Sequence, residues 1–482
     1  MNVKNKADNK LEHKTPENYT EKVKEIFPET SINKELVQNT RVRDLPNYIF
    51  EWLLYKFTDE GVLTQENKKK LYKLIEKHYP DPENLEYYKY QIIKEREKIS
   101  ILNRYDVSLN ARTEEYTVNF PFFASESRNV HILEEIVDQN KGLLNGLWGI
   151  STISHDPTFE KPFLITDFSP VQIEEVYLDK YIEARKNFTL PEWVNLMINT
   201  MGLNPEQYPT AEEKIYLISR IIPYVQNNFN LVEMGPKGTG KSYFHKNIST
   251  HVHVIGGGTI SRAELIFHMG KKKKGLLLTN DVVVFDDFSN IKISGASEVI
   301  GKLKNFMADG IIDVGSFKET SNASVVIMGN IALTEHGFPA NKFYFGNLPK
   351  SMQESAFLDR MSAFIPGWRL HPVRPKDLSK DYGLIGDWFS EILHHIRKKS
   401  FIPDVENMIE FKGKKARVRD SEHMKATAAG LIKLLFPDGK MDLDDWHLIA
   451  KFAVNLRQRV ITQLGRIDPE FLDIQLDYDI IE

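Results

Sequence analysis

The stretch Gly235-Pro236-Lys237-Gly238-Thr239-Gly240-Lys241-Ser242 decides the fold of this 482-residue chain. An apolar run, residues 231–234, precedes it, and a helix-compatible segment, residues 243–249, follows it. Its glycines permit positive φ, so successive backbone N–H groups can close on an anion at the positive end of the helix. The pattern predicts a phosphate-binding loop in which Lys241 reaches the β- and γ-phosphates of ATP and Ser242 holds Mg²⁺. The alternative is a glycine-rich strand-to-helix turn with an incidental lysine.

A second run, Asp281-Val282-Val283-Val284-Phe285-Asp286-Asp287, ends in two acids. Consecutive β-branched apolar residues are typical of a central parallel strand that is covered on both faces. We predict that Asp286 binds Mg²⁺ and that Asp287 positions or deprotonates the attacking water. The alternative is a buried strand whose acids only begin a turn, because Asp-Asp is common in turns.

Composition limits the classes of protein that the chain can represent. The 63 basic and 67 acidic residues give a net charge of −4, so any nucleic-acid-binding surface must be local. The chain has no cysteine, which excludes disulfides and thiolate zinc ribbons and fits a reducing interior. No apolar stretch approaches the ~18 residues of a spanning helix, and the first residues lack the apolar core of a signal peptide. We therefore expect a cytoplasmic protein with no membrane partner.

Periodicity divides the chain into five predicted segments. Residues 1–33 are rich in Lys, Glu, Asn and Thr and are expected to form a mobile tail. Helical spacing predicts a helical module over 34–99, and alternation predicts a β-rich, small barrel-like module over 100–185, either a nucleic-acid binder or a spacer. Alternating β and α units predict an α/β ATPase core with a parallel sheet over 186–375, followed by a C-terminal helical lid over 376–482.

Several side chains outside the two motifs carry polar or cationic groups. Asn330 ends a β-prone run, where it would touch the attacking water or the γ-phosphate. Arg360 ends a predicted helix and either acts in a neighbouring subunit's site or is a helix C-terminal cation. Lys318 follows a predicted hairpin turn, and a predicted helix carries Lys302 and Lys304.

His251 and His253 lie on one face of a predicted strand, a spacing that suits a metal ion. No third ligand is visible in the sequence, so solvent-facing histidines are the preferred interpretation. The lysine run 271–274 is interpreted as a solvated loop that could touch phosphate.

Three further strings carry a resemblance to a known family. Met328-Gly329-Asn330, Ser355-Ala356-Phe357-Leu358-Asp359-Arg360 and Phe364-Ile365-Pro366-Gly367-Trp368, together with the two motifs, closely resemble the Lon-like AAA+ proteins of BREX bacterial phage-defence systems, the BrxL family. The resemblance covers roughly residues 34–475.

The resemblance implies an AAA+ ATPase whose MCM-like ring, hexameric or of stacked hexamers, binds double-stranded DNA and works with other phage-defence components. It makes Lys241 and Ser242 the Walker A pair, Asp286 and Asp287 the Walker B pair, and Asn330 sensor 1. The usual second Walker B acid is glutamate, so Asp287 puts fast hydrolysis in doubt.

The same resemblance makes Arg360 the arginine finger and Arg419 a sensor 2 residue that contacts the nucleotide. Lys318, with Lys302 and Lys304 nearby, matches the pore hairpin that faces DNA. Longer members carry a Lon-type C-terminal protease domain, and this chain ends soon after the predicted lid, so no peptidase activity is expected. Two alternatives stay open: an ATP-dependent protein unfoldase that serves a separate protease, and a nucleotide-switched scaffold.

Overall fold

The computed structural model describes residues 11, 18–40, 42, 45–59, 61–109, 114–119, 130–159, 162–172, 176–271 and 273–481. The chain forms two compact units: residues 39–176, called the barrel unit here, and residues 1–38 with 177–482, called the sheet unit. About half of the predicted tail, residues 1–10 and 12–17, and Lys272 of the lysine run lie outside the described residues.

The helices in chain order are α1 (Tyr19–Ile26), α2 (Lys34–Thr40), α3 (Asn47–Phe57), α4 (Gln65–His78), α5 (Leu85–Ile93), α6 (Glu134–Gln139), α7 (Leu178–Ala184), α8 (Leu190–Thr200), α9 (Ala211–Ser219), α10 (Ile222–Val225), α11 (Lys241–Asn247), α12 (Arg262–Leu265), α13 (Leu276–Thr279), α14 (Ala296–Asp309), α15 (Ser355–Leu358), α16 (Gly386–Ile396), α17 (Ile402–Met408), α18 (Val418–Leu435) and α19 (Leu443–Leu464).

The strands in chain order are β1 (Ser31–Asn33), β2 (Ile99–Leu109), β3 (Tyr116–Asn119), β4 (Val130–Ile132), β5 (Leu147–His155), β6 (Phe163–Pro170), β7 (Leu231–Gly235), β8 (Val252–Ile255), β9 (Gly258–Ile260), β10 (Phe267–His268), β11 (Lys273–Lys274), β12 (Val282–Phe285), β13 (Ile291–Ile293), β14 (Ile311–Val314), β15 (Phe317–Thr320), β16 (Ser324–Asn330), β17 (Ala363–Pro366), β18 (Tyr382–Leu384), β19 (Ile409–Lys414) and β20 (Gln475–Ile480).

The barrel unit contains a closed barrel with the strand order β2-β3-β4-β6-β5. Its alternating apolar residues, among them Ile101, Tyr105 and Val107, point into a shared core. Helices α3 to α5 precede the barrel in the same compact unit, so the structure groups the predicted helical and β-rich modules together. Helix α7 belongs to the sheet unit, and the predicted boundary at residue 185 is therefore too late.

The sheet unit is built on five parallel strands in the order β17-β7-β16-β12-β8. Strand β12 is the predicted acid-bearing strand, and each of its four residues is buried between β16 and β8. Burial on both faces explains why its sequence is continuously apolar rather than alternating. The prediction of a mixed α/β fold with a parallel sheet is confirmed.

The predicted mobile tail is wrong for the residues that follow Asn18. Helix α1 buries Tyr19 and Val23, and Phe27 packs its ring against Phe188 and Trp388. Strand β1 then pairs antiparallel with β18. The few apolar residues of this polar segment find partners far along the chain, and composition alone does not reveal such partners.

The prediction that residues 376–482 are helical is only partly correct. Strands β19 and β20 pair antiparallel over six residues each. The buried Ile409 and Phe411 alternate with exposed residues in β19, and β20 repeats this pattern. Strand β20 follows the long helix α19, and β19 precedes α18. Their pairing therefore joins the segments on either side of these two helices.

Candidate nucleotide-binding site

The phosphate loop, residues 235–242, joins β7 to α11 at the carboxyl edge of the sheet. Gly238 and Gly240 have φ values of +86° and +78°, a region that side chains disfavour. A Cβ at Gly235 would lie 2.7 Å from the backbone of Gly367, so only glycine fits there. The backbone conformation and the close packing of the loop therefore require glycine at these three positions.

The two predicted metal ligands lie together. Ser242 Oγ donates a hydrogen bond to Asp286 Oδ1 at 2.8 Å. Ser242 is in the first turn of α11, and Asp286 directly follows β12. Two neighbouring ligands of an octahedral Mg²⁺ lie about 2.9 Å apart, since each is 2.0–2.1 Å from the ion. The pair fits Mg²⁺ with almost no movement of either oxygen.

The ammonium group of Lys241 lies over the loop itself. Its Nζ donates to Pro236 O at 2.8 Å and to Gly235 O at 3.3 Å. Burial lowers the pKa of Lys241, and the nearby Glu233 carboxylate opposes that shift. The cation is therefore held at the loop by carbonyl groups, which a phosphate can replace as partners.

Arg220 and Glu233 hold the phosphate loop in place, and neither residue was predicted from the sequence. The fully buried Arg220 contacts Glu233 through two hydrogen bonds of 2.6 and 2.9 Å, and its Nη2 donates to Thr239 O at 3.1 Å. Such a bidentate pair is rigid as well as strong. The sequence did contain a signal for this pair. Glu233 lies within the apolar strand β7, where an unpaired charge would cost free energy.

Asn330 and Asp287 complete the carboxyl edge. Asn330 ends β16 and pairs in register with Gly235, the first residue of the loop. Asp287 has a left-handed backbone, with φ at +51°. Its carboxylate accepts hydrogen bonds from Ser289 Oγ at 3.0 Å and Asn290 Nδ2 at 2.7 Å. The carboxylate of Asp287, the predicted base, is therefore hydrogen-bonded within its own turn. Asp287 directly follows Asp286, the predicted metal ligand.

Arg360 lies at the opposite, amino edge of the sheet. It follows α15 by two residues rather than ending it, and β17 then begins at Ala363, which pairs with Leu231 at the start of β7. The phosphate loop follows the end of β7, about 13 Å of strand away at 3.3 Å per residue. Arg360 Nη1 donates to Ala356 O, and its buried Nε has no hydrogen-bond partner among the described residues.

Arg419 does not lie beside the phosphate loop of its own chain either. Its Nη1 donates to Asp359 Oδ2 at 2.5 Å, so it sits next to Arg360 at the amino edge. Burial alone would raise the pKa of Asp359, but hydrogen bonds from Arg417 and Arg419 and the charge of Arg457 hold that pKa far below its usual range. The two predicted nucleotide-contacting arginines share one location, away from their own loop.

The three lysines predicted to bind DNA differ in their surroundings. Lys318 is exposed on the hairpin formed by β14 and β15, opposite Asp313. Lys302 Nζ donates to the backbone of Asp313 at 2.7 Å, whereas Lys304 forms an ion pair with Glu354 at 2.8 Å. Lys318 and Lys302 belong to one hairpin surface, and Lys304 is engaged by a carboxylate.

A second hairpin, formed by β10 and β11, packs on the first. The rings of Phe267 and Phe317 stack with centroids 3.7 Å apart, and Lys274 Nζ contacts Glu319 Oε1 at 2.5 Å. Lys273 and Lys274 of the predicted lysine loop are exposed and lie in β11. We call the two together the paired hairpins.

In the part of the chain that the structure describes, no helix combines the length and apolarity needed to cross a membrane.

Two family models match this chain. The one described as "Lon-like protease BrxL-like, ATPase domain" matches residues 163–477, which include the phosphate loop, Asp286 and Asn330. The chain belongs to the BrxL family. The model described as "BREX system Lon protease-like protein BrxL N-terminal" matches residues 25–155.

Individual BrxL relatives extend over most of the chain. Lon-like protease BrxL of Escherichia coli O9:H4 (strain HS) is 29% identical over 455 residues, which are 93% of this chain and 64% of that protein. Lon-like protease BrxL of Bacillus cereus (strain H3081.97) is 30% identical over 458 residues, 93% of this chain and 67% of that protein. The chain thus spans about two thirds of the length of the curated relatives that it matches.

A crystal structure of an ATPase candidate from Cytophaga hutchinsonii covers 63% of this chain and 97% of its own. Its identity is 13% and its TM-score is 0.35, a level at which the likeness carries no argument.

Proposed function

We propose that this BrxL-family chain is an AAA+ ATPase that binds Mg²⁺-ATP at the phosphate loop and couples its turnover to engagement of double-stranded DNA in BREX phage defence. The observation that carries the proposal is the 2.8 Å contact between Ser242 and Asp286 at the carboxyl edge of the sheet. Open parallel sheets bind their ligands at this edge. The match of residues 163–477 to an ATPase-domain model supports hydrolysis as the reaction.

The roles of the residues follow from their positions. Backbone N–H groups of the loop and the start of α11 would receive the phosphates, with Lys241 on the γ-phosphate. Ser242 and Asp286 would hold Mg²⁺, which neutralises charge on the β- and γ-phosphoryl oxygens when bound. Asp287 and Asn330 would orient the water, and Asp287 would take its proton.

The position of the two arginines supports an assembled enzyme. Arg360 and Arg419 lie at the edge opposite their own loop, so they would complete the site of a neighbouring copy. A contact between the loop edge of one copy and the arginine edge of the next is head-to-tail, and such contacts form a ring when the rotation between copies closes. We propose a ring, hexameric or of stacked hexamers.

The paired hairpins support DNA as the partner. Lys318 and Lys273 are exposed on two hairpins that stack on each other through aromatic rings, and the exposed Lys274 beside them is paired with Glu319. Lysines on such a surface suit the phosphate backbone, and Lys302 and Lys304 lie on the neighbouring helix α14. Because the whole chain has a net charge of −4 and is not basic, the support for DNA binding comes from this local arrangement of lysines.

Steady-state ATP hydrolysis of the wild type and of Lys241→Ala tests the proposal, with duplex DNA or an unfolded polypeptide added in parallel. We expect Mg²⁺-dependent hydrolysis that DNA stimulates and that Lys241→Ala abolishes. Stimulation by polypeptide alone would favour an unfoldase that serves a separate protease. ATP binding without turnover would favour the nucleotide-switched scaffold, an alternative consistent with the engaged Asp287 carboxylate.

A further inference from the structure

Four metal-ligating side chains from three elements meet at the amino edge of the sheet, away from the phosphate loop. His251 precedes β8, Asp281 precedes β12, and α16 carries Glu391 and His394 on successive turns of one face. One ligand atom each of His251, Asp281 and His394 lies within 4.8 Å of the other two. We call these four residues the His-acid cluster.

The cluster is joined by two short contacts. His251 Nε2 lies 2.7 Å from Glu391 Oε1, and His394 Nδ1 lies 2.6 Å from Asp281 Oδ2. The two imidazole rings stack with centroids 4.2 Å apart, which brings both contacts side by side. Every side chain of the cluster is at least two thirds buried.

We propose that the His-acid cluster is a Zn²⁺ site that fastens α16 to the amino edge of the sheet. The atoms of His251, Asp281 and His394 that lie within 4.8 Å of one another are two imidazole nitrogens and one carboxylate oxygen, a donor set that Zn²⁺ accepts with water in the fourth tetrahedral position. Ligand atoms about 2.0–2.2 Å from such an ion lie about 3.4 Å from one another. The 2.6 Å contact between His394 and Asp281 would therefore open by less than about 1 Å, and separations of up to 4.8 Å among the three ligand atoms would close by up to about 1.4 Å, when the ion binds.

The surroundings of the cluster hold its carboxylates in place. Thr250 Oγ1 donates to Glu391 Oε1 at 3.4 Å, an outer contact of the kind that orients metal ligands. Arg397 Nε lies 3.8 Å from Asp281 Oδ1, the oxygen that does not face His394. The same guanidinium donates to the carbonyls of Pro223 and Asn322 at 2.5 Å, which fixes its position and leaves Asp281 Oδ2 for the ion.

The cluster also corrects the interpretation of His251 as solvent-facing. His251 is partly buried, and its partners lie 30 to 143 residues away in the sequence rather than at position 253. His253 is exposed in β8. Because the chain contains no cysteine, histidine and carboxylate are the zinc-binding groups that it has.

The test uses the full chain, purified without a metal-affinity tag, stripped with a chelator and titrated with Zn²⁺ alone. We expect one tightly bound Zn²⁺ per chain and a rise in the thermal unfolding midpoint, because an ion that binds only the folded state stabilises it. The double variant His251→Gln/His394→Gln should lose this ion. His253→Gln and Asp286→Asn should keep it, which separates the cluster from a neighbouring histidine and from the magnesium site.

A second measurement does not depend on how the double variant folds. Co²⁺ added to the stripped wild type should give the intense visible absorption of a four-coordinate ion. The proposal is overturned if this absorption is missing, if the wild type binds no Zn²⁺, or if the double variant binds as much as the wild type. A hydrogen-bonded ion-pair network without metal is then the correct description.

Discussion

At the scale of single residues, Asp287 limits the chemistry of the proposed site. Its left-handed backbone suits aspartate better than glutamate, since short polar side chains tolerate that region. Its carboxylate is engaged by Ser289 and Asn290 and must turn from them to reach a water. Aspartate at position 287, where the resembling family usually has glutamate, therefore agrees with the local backbone conformation.

Asp287→Asn should preserve this turn, because asparagine has the same shape and also tolerates left-handed φ. It removes the proton acceptor, so we expect kcat for ATP to fall by roughly 10²- to 10⁴-fold while ATP affinity stays unchanged. Steady-state hydrolysis and equilibrium nucleotide binding measure the two quantities. A variant that hydrolyses ATP at the wild-type rate would remove Asp287 from the mechanism.

Two buried histidines make the stability of the sheet unit depend on pH. Burial, with a contribution from Arg220, lowers the pKa of His245 to about 3. Burial, with a contribution from Arg457, likewise lowers the pKa of His423 to about 3. Between about pH 3 and the usual histidine pKa near 6.5, the unfolded chain binds protons that the folded chain does not. The free energy of unfolding should therefore decrease as pH falls through this window.

Each of these histidines contributes a slope of about 1.4 kcal/mol per pH unit within the window. In His423→Asn the amide can replace Nδ1 in its 3.0 Å contact with Ser362, so the fold should persist. The slope between pH 6 and pH 4 should become shallower by about one proton. Urea unfolding of both proteins across this range measures it, and identical slopes would mean that His423 titrates normally in the folded state.

At the scale of secondary-structure elements, Asp359 joins three helices. It directly follows α15, accepts hydrogen bonds from Arg417 and Arg419 at the start of α18, and pairs at 2.7 Å with Arg457 of α19. Arg457 is fully buried and also contacts Asp420 at 2.7 Å. The neighbour of Asp359 is Arg360, so this network determines where the proposed arginine finger is held.

Asp359→Ala should destabilise the protein by about 3–5 kcal/mol, because it leaves buried arginines short of a carboxylate. Chemical unfolding gives this free energy. Asp479→Ala is the matched control, since it breaks an exposed ion pair with Lys412 and should leave the free energy of unfolding almost unchanged. Equal losses in the two variants would show that the Asp359 network contributes no more than a surface pair.

The paired hairpins are the element that the proposal assigns to DNA. Lys318→Glu should weaken duplex binding, and the slope of log affinity against log salt should become shallower by about one or more, because one phosphate contact is lost. Fluorescence anisotropy at graded salt measures both. Lys440→Glu, a substitution of an exposed lysine outside the hairpins, is the control. If both variants lose affinity equally, net charge rather than the hairpin explains the effect.

Elements with strong local periodicity could be predicted from the sequence, and elements that depend on distant partners could not. The phosphate loop and β12 carry their own signals, glycines at fixed spacing and a continuous apolar run. Strand β1 is three residues long and forms only because β18 lies beside it. The same applies to the site: the motif predicted the Ser242–Asp286 pair, but nothing local pairs Arg220 with Glu233 or brings His394 to Asp281.

At the scale of the whole molecule, the proposed active site is divided between copies. The loop edge holds Lys241, Ser242, Asp286 and Asn330, and the amino edge holds Arg360. A single chain cannot bring the two together, because they lie at opposite ends of the same parallel strands. Hydrolysis should therefore depend on assembly, with the rate per chain rising with protein concentration.

A mixture of two inactive variants tests this division. Lys241→Ala lacks the phosphate-binding lysine but keeps Arg360, whereas Arg360→Ala keeps an intact loop, so each should be inactive alone. In equimolar mixed assemblies, roughly one interface in four joins an intact loop to an intact Arg360, and up to about a quarter of wild-type hydrolysis should return. Arg466→Ala, which removes an exposed arginine that is not among the partners of Asp359, should hydrolyse ATP normally. Arg360 would instead act within its own chain, or not at all, if co-assembled mixtures stayed inactive or Arg360→Ala alone retained hydrolysis.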